Sequence, residues 1–265
     1  MEAAADYPLS MSEIIAEDER LDPPAWSPGL PQVHALLRDA DIQQFEYLPW
    51  GSNYTCLMRL DGSDLGPSLA VYKPQRGEAP LWDFPDGTLY RREYAAHVVS
   101  KALGWQLVPP TVIREGPHGI GSVQLFIVAQ PGSSYVTWHD ERLEDLKRIA
   151  LFDCLTNNAD RKAVHCILGR DDRIWGIDHG ITFHDEPKLR TVIWDFRSQP
   201  IPEPLLADLE SFREKLSAGK EPLGELRELI SQRELDALKR RLGVLLELRC
   251  YPEPRSRRSV PWPPF

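Results

Sequence analysis

Apolar and polar positions change their rhythm partway along this chain. Residues 42–48, 54–60 and 68–73 are short runs that predict three strands, with turns at Gly51, Ser52 and Asn53 and at Asp61, Gly62 and Ser63. Residues 90–103 then show helical spacing, with Ala95, Val98, Val99 and Ala102 on one stripe and Gly104 as the stop. Two more strands are predicted over 108–113 and 122–129. After Pro131 the pattern turns mostly helical. Leu143, Leu146, Ile149, Ala150 and Leu155 define a helix over 143–155, and further helices are predicted over 207–216 and 227–246. Between them lies a hairpin, 166–168 and 174–177, turned by residues 169–173. Five strands with one helix, a short link and a helical half with an inserted hairpin predict an α+β, two-lobed protein-kinase-like fold.

Composition sets the boundaries. Residues 1–30 are acidic and contain Pro23, Pro24 and Pro28, which predicts an irregular arm with a short helix near 12–20. Residues 251–265 hold five prolines and three arginines, which predicts an extended tail that buries no core. The lobes are expected at 31–130 and 131–250. A net charge of −9 repels nucleic-acid phosphates and anionic membranes, so no nucleic-acid partner is expected. No run approaches the roughly 20 apolar residues that span a bilayer, no leader pattern opens the chain, and the four cysteines form no CxxC pair. A cytoplasmic protein with no integral membrane association is expected.

Phosphoryl transfer needs a cation on the triphosphate, metal ligands and a carboxylate to orient the attacking hydroxyl. Lys73 ends the third strand, where it either reaches phosphates or lies as a snorkelling surface lysine. Glu93, in the first turn of the next helix, is either its partner or an acid favoured by the helix dipole. Gly51, Ser52 and Asn53 join the first two strands, as a phosphate-covering loop or as a plain hairpin turn; the GxGxxG pattern is absent. Residues 155–168 end a helix in a polar cluster holding Asp160, Arg161 and Lys162 and run straight into an apolar strand. Asp178 closes the second hairpin strand, with Gly180 allowing a sharp turn. Two acids at adjacent ends of one hairpin can share a metal.

These segments resemble the phosphatidylinositol 3-/4-kinase-like superfamily, above all type II phosphatidylinositol 4-kinases and, more distantly, HipA kinases. The resemblance covers about residues 42–185. It rests on the helix from Glu93 to Gly104 with Leu107, Pro109, Pro110 and Thr111 after it, on residues 121–128, on Asn157 to Arg161, and on Ile177, Asp178 and Gly180. It implies ATP and Mg²⁺ (or Mn²⁺), with Lys73 on the phosphates, Glu93 supporting Lys73, and Val128, Ala129 and Gln130 receiving adenine. Ile177 would line the nucleotide site. Asp160 would orient the acceptor hydroxyl, Asp178 would hold the metal, and Arg161 or Lys162 would neutralise the transferred phosphoryl group. The superfamily usually has asparagine, a second metal ligand, five residues after the catalytic aspartate; here it is His165.

The function implied is ATP-dependent phosphotransfer to the hydroxyl of a small-molecule, lipid or protein acceptor. Two other readings remain open. His165 favours a nucleotide-binding regulator with little transfer activity. The pairs His139–Asp140 and His184–Asp185 are the basis for a metal phosphohydrolase, although that chemistry needs its ligands on packed helices.

Overall fold

The computed structural model describes residues 31–48, 53–61, 65–219 and 222–265. The expected arm at 1–30 and the Gly51–Ser52 turn lie outside the described residues. A helix, α1 (Pro31–Asp39), buries Val33, Leu36 and Leu37 under the first sheet. That sheet is built from β1 (Asp41–Tyr47), β2 (Cys56–Asp61), β3 (Ser68–Pro74), β4 (Thr111–Gly116) and β5 (Gly119–Leu125), in the order β1-β2-β3-β5-β4. Every pairing is antiparallel, and Lys73 of β3 faces Ser122 of β5. The face covered by α1 carries Met58, Ala70, Tyr72, Val112 and Val123. Alternation along half-buried strands thus sets which residues enter this core.

Between β3 and β4 lies α2 (Leu89–Ala102). Its first turn has no local side-chain cap. Glu78 reaches in from the preceding loop instead and accepts the Tyr90 N–H at 2.8 Å. Gly104, at φ +75°, turns the chain just past its end, a conformation that costs glycine little. Arg92, Glu93, His97 and Ser100 are buried along with the apolar stripe. Buried charges on a helix are uncommon and mark positions with assigned partners.

The second half contains a short turn of helix, α3 (Tyr135–Trp138), then α4 (Leu143–Thr156), the hairpin β6 (Cys166–Leu168) and β7 (Ile174–Gly176), and α5 (Glu203–Ala218), α6 (Leu226–Leu229) and α7 (Gln232–Leu248). The single helix expected over 227–246 is broken at Ile230 and Ser231. Ser231 and Glu234 form a capping box: Ser231 Oγ accepts from the Glu234 N–H at 3.3 Å, and Glu234 Oε2 accepts from the Ser231 N–H at 2.8 Å. This restarts the helix and satisfies two end donors. The fold is α+β and two-lobed in the protein-kinase manner, with a β-rich first lobe and a mostly helical second.

The partition of the core differs from a simple cut at residue 130. Ala95, Val98, Val99 and Leu103 join the same apolar cluster as Leu146, Phe152, Leu209 and Phe212. Four polar links fasten this region to the helical lobe: Arg92 to Glu234 at 2.7 Å, Trp105 Nε1 to Asp208 at 2.8 Å, Tyr94 to Glu225 at 2.6 Å, and Lys215 to the Ala102 carbonyl at 2.9 Å. Residues 251–265 also depart from expectation. They are docked and include one turn of 3-10 helix at Arg257–Ser259: Tyr251 is buried, the Ser259 carbonyl accepts from the Thr191 N–H and Trp194 Nε1, and the Pro264 carbonyl accepts from the Ala163 N–H. Low core-forming power does not prevent a proline-rich strand from being fastened by its carbonyls. Among the described residues, no helix is long and apolar enough to cross a membrane.

Candidate active site

Three elements meet at the cleft between the lobes. β3 delivers Lys73, α2 delivers Glu93, and the chain leaving β7 delivers Asp178. Lys73 Nζ donates to Glu93 Oε1 and, at 2.8 Å, to Asp178 Oδ1. Its side chain is three-quarters buried, so it is not a snorkelling surface lysine. Glu93 Oε2 accepts the His179 N–H at 2.9 Å, so one carboxylate ties the sheet, the helix and the segment after β7 together.

The electrostatics follow from this packing. Burial alone would lower the Lys73 ammonium, but Asp178 and Glu93 more than reverse it and hold it above its ordinary range. Lys73 holds the Asp178 carboxyl well below the usual carboxylate range. Burial raises the Glu93 carboxyl, opposed by Lys73. Asp178 has φ +59°, a left-handed conformation costing a non-glycine about 1 kcal/mol. The sharp turn expected at Gly180 is thus made at Asp178 itself. Gly180 instead lies against Glu93 and Leu89, where an added Cβ would meet them at 3.5 and 3.6 Å.

The loop after α4 builds the second side. Asn157 terminates α4 at φ +56° and spreads its amide over the 184–188 segment: Nδ2 donates to the His184 and Glu186 carbonyls at 2.9 and 2.7 Å, and Oδ1 accepts the Lys188 N–H at 2.9 Å. Asn158 Oδ1 accepts the Asp160 N–H at 3.0 Å and shapes the turn. Asp160 is left partly exposed, with Lys162 Nζ 3.2 Å from its Oδ2. Burial raises the Asp160 carboxyl, while Lys162 and the more distant Arg190 oppose the rise.

Arg161 has a different place from the one implied by resemblance. It is fully buried and cannot meet a transferred phosphoryl group. Its Nε and Nη2 donate to Asp153 of α4, with contacts of 2.9 to 3.2 Å; Nη1 donates to the His165 and Ile177 carbonyls at 3.1 and 2.9 Å; and Nη2 lies 2.7 Å from His179 Nε2. A guanidinium can only donate, so His179 Nε2 is the acceptor and His179 is neutral. Burial, then Arg161, pushes its imidazole well below the ordinary value.

His165 faces Asp178. Its Nδ1 lies 2.8 Å from the Asp160 carbonyl, which can only accept, so Nδ1 carries the proton. The Lys162 N–H, at 3.4 Å, is the weaker neighbour of that nitrogen. The Nε2 lone pair therefore points toward Asp178 Oδ2, 3.2 Å away. Burial depresses this imidazole to about 4, opposed by Asp178. Two acceptors at that spacing fit a shared cation: cis ligands of an octahedral ion with bonds of about 2.1 Å lie about 3.0 Å apart. Phosphate oxygens would complete the shell. Among the described residues, no group of three or more His, Cys, Asp and Glu side chains gathers as a metal centre. The pairs His139–Asp140 and His184–Asp185 form no such group, and His184 Nε2 bonds to the Asp83 carbonyl at 2.8 Å.

The segment between the lobes is narrowed to one residue. The Val128 carbonyl accepts from the Arg170 N–H at 3.1 Å, and the Gln130 N–H donates to Leu168 at 2.8 Å. Those groups at Val128 and Gln130 are engaged by the hairpin. Ala129 pairs with Gly169 between these bonds, so its own N–H and C=O point away from the hairpin. Ile177 likewise uses its N–H on His165 and its carbonyl on Arg161. Asn53 accepts the Ala79 N–H at 2.6 Å and so secures the chain after β3. Asn158 lies within the 157–161 segment expected to carry chemistry; Asp153 and Arg190 lie outside it.

No protein-family model matches the chain. Protein Rv2133c of Mycobacterium tuberculosis is 39% identical over 272 residues, covering 88% of this chain and 95% of that protein. Among solved structures, hydra Fam20 with sugar aligns with a TM-score of 0.48 at 17% identity, covering 82% of this chain and 86% of that one. The Helicobacter pylori proinflammatory kinase CtkA aligns with a TM-score of 0.47 at 12% identity, covering 81% and 94%.

Proposed function

This chain belongs to the family of Protein Rv2133c, and we propose that it is an ATP-dependent phosphotransferase acting on a hydroxyl group. The observation that carries this reading is the convergence of Lys73, Glu93 and Asp178, from three separate elements, on one cleft beside Asp160. The motif resemblance to phosphatidylinositol kinase-like proteins supports the reaction type.

Lys73, fixed by Glu93, holds the phosphates of ATP. Asp178 and His165 hold the metal, and Ala129 offers its backbone to adenine. Magnesium or manganese, when bound, neutralises charge on the phosphate oxygens. Asp160 orients the acceptor hydroxyl and takes its proton as the new phosphorus–oxygen bond forms and the bond to ADP breaks. Its raised carboxyl suits that acceptance. Lys162, beside Asp160, balances the charge at this point. A nucleotide-binding regulator is the second reading, and it rests on His165 where asparagine is usual.

Two variants test the assignment by calorimetry with a non-hydrolysable ATP analogue and by turnover of labelled ATP with small-molecule, lipid and protein pools. Asp160→Asn should bind nucleotide as wild type does and transfer nothing. Asp178→Asn should lose metal–nucleotide affinity. Equal binding losses in both variants, or a wild-type protein that binds no nucleotide, would refute it.

A further inference from the structure

Behind the Asp160 loop, the 185–194 segment, α7 and the docked tail enclose a cavity of about 400 Å³. That is the size of a small-molecule site. On a chain of net charge −9 its lining is inverted: Lys188, Arg190, Arg240, Arg241, Arg255 and Arg258 against two acids. Of the two acids, Glu253 accepts from the Ser198 hydroxyl and Asp185 offsets part of the Arg241 charge. Lys188 turns away to Asp83. Among the described residues, no carboxylate lies within ion-pair distance of Arg190, Arg240, Arg255 or Arg258. These four side chains are exposed at the rim, screened from one another by water and free to receive an anion.

Arg241 is a fixed part of the wall. Its Nε donates to the Leu155 carbonyl at 2.8 Å and its Nη1 to the His184 carbonyl at 3.1 Å, which fixes the guanidinium in the wall. Its Nη2 is buried and has no acceptor. That atom has no surface toward the hollow, so an anion there meets Arg241 through its charge and not through a direct hydrogen bond. The cavity also adjoins the candidate active site. The Arg190 carbonyl accepts from the Arg161 N–H and its N–H donates to the Asn158 carbonyl, on either side of Asp160, while the Arg190 charge acts on the Asp160 carboxyl.

Building on the phosphotransferase reading, we propose that this cavity binds the acceptor through a phosphate group, so that the substrate is a hydroxyl compound already carrying a phosphoester. Guanidinium forks match phosphate oxygens in pairs. The phosphate sits between Arg240 and Arg258, beside the fixed charge of Arg241, and the rest of the acceptor lies on the Arg190 side, toward the Asp160 loop.

The test uses the full chain and the double variant Arg240→Ala/Arg258→Ala, whose side chains are exposed. Calorimetry compares glycerol 3-phosphate and glucose 6-phosphate with glycerol and glucose, with and without a saturating non-hydrolysable ATP analogue. Phosphoesters should bind, their uncharged parents should not, and the double variant should weaken binding by at least about tenfold while nucleotide affinity stays unchanged. Sedimentation with mixed phosphatidylcholine–phosphatidylglycerol vesicles separates the sources. Vesicle binding lost in the double variant, with no binding of soluble esters, assigns the phosphate to a lipid headgroup. Phosphoester binding without nucleotide binding would refute the phosphotransferase reading and the acceptor role, leaving only an anion site. The absence of phosphate-dependent binding in either format, or binding indifferent to the double variant, would overturn the cavity assignment itself.

Discussion

Replacing Arg161 by methionine keeps an unbranched stem, shortens the side chain and removes its charge and all five donors. The loss falls on Asp153, whose carboxylate is fully buried and takes its charge-balancing contacts from Arg161. Breaking a buried pair from one side costs about 3–5 kcal/mol, because the remaining charge is stranded. For a chain of this size each kcal/mol lowers the melting temperature by about 2–4 °C, so a fall of about 6–20 °C is expected. The same change frees the carbonyls of His165 and Ile177, which Arg161 holds together. Activity should therefore fall along with stability. The double variant Asp153→Leu/Arg161→Met removes the stranded charge and should regain part of the lost stability, while the His165 and Ile177 carbonyls and the Asn158 amide stay without these partners. Thermal and urea unfolding of the two variants measures this. An Arg161→Met protein that melts within about 2 °C of wild type yet transfers no phosphate would refute the reasoning and return Arg161 to the phosphoryl group.

Lys73→Met should abolish nucleotide binding and also destabilise the fold, because Glu93 is left buried without its cation. The Glu93 carboxyl then rises further and favours its proton. The cost of about 1–3 kcal/mol should therefore be larger at pH 8 than at pH 5, and equal losses at both in urea unfolding would contradict this. His97 is buried beside His34, and burial lowers its imidazole from 6.5 to about 3. Its contribution is complete above pH 6.5 and is lost as pH falls, on the order of 3 kcal/mol by pH 4. His97→Leu should flatten the slope of unfolding free energy across that window, and an unchanged slope would refute the assignment. Imidazole suits Mn²⁺ better than Mg²⁺, so the wild type should bind Mn²⁺–nucleotide more tightly and His165→Asn should shift preference toward Mg²⁺. Identical preferences by calorimetry would remove His165 from the metal shell.

The strands and α2 were legible because alternation and helical spacing are local signals, and Lys73, Glu93, Asp160 and Asp178 stand at element ends where such signals stop. The inward turn of Arg161 was not legible from an Asp-Arg-Lys sequence that looks solvent-exposed. Its partner lies eight residues earlier. One signal was present: Leu146, Ile149 and Ala150 set an apolar stripe on α4, and Asp153 continues it at the next turn. An acid on a buried stripe requires a buried cation. The break before α7 was similarly written in Ser231 and Glu234, whose capping spacing was masked by helical periodicity on both sides. The cavity beside α7 depends on tail residues meeting residues far back in the chain, and no local pattern announces such a meeting.

The fastening of α2 to the helical lobe bears on how this protein can be governed. In many enzymes of this architecture the corresponding helix swings, and control consists of making or breaking its ion pair to the sheet lysine. Here Arg92, Tyr94, Trp105 and Lys215 clamp the helix and its flanking chain to the larger body, with the Lys73–Glu93 pair formed. The helix is part of the chassis. A signal acting on this protein would meet a helix already set in place, and the separately fastened piece is the strap formed by residues 251–265.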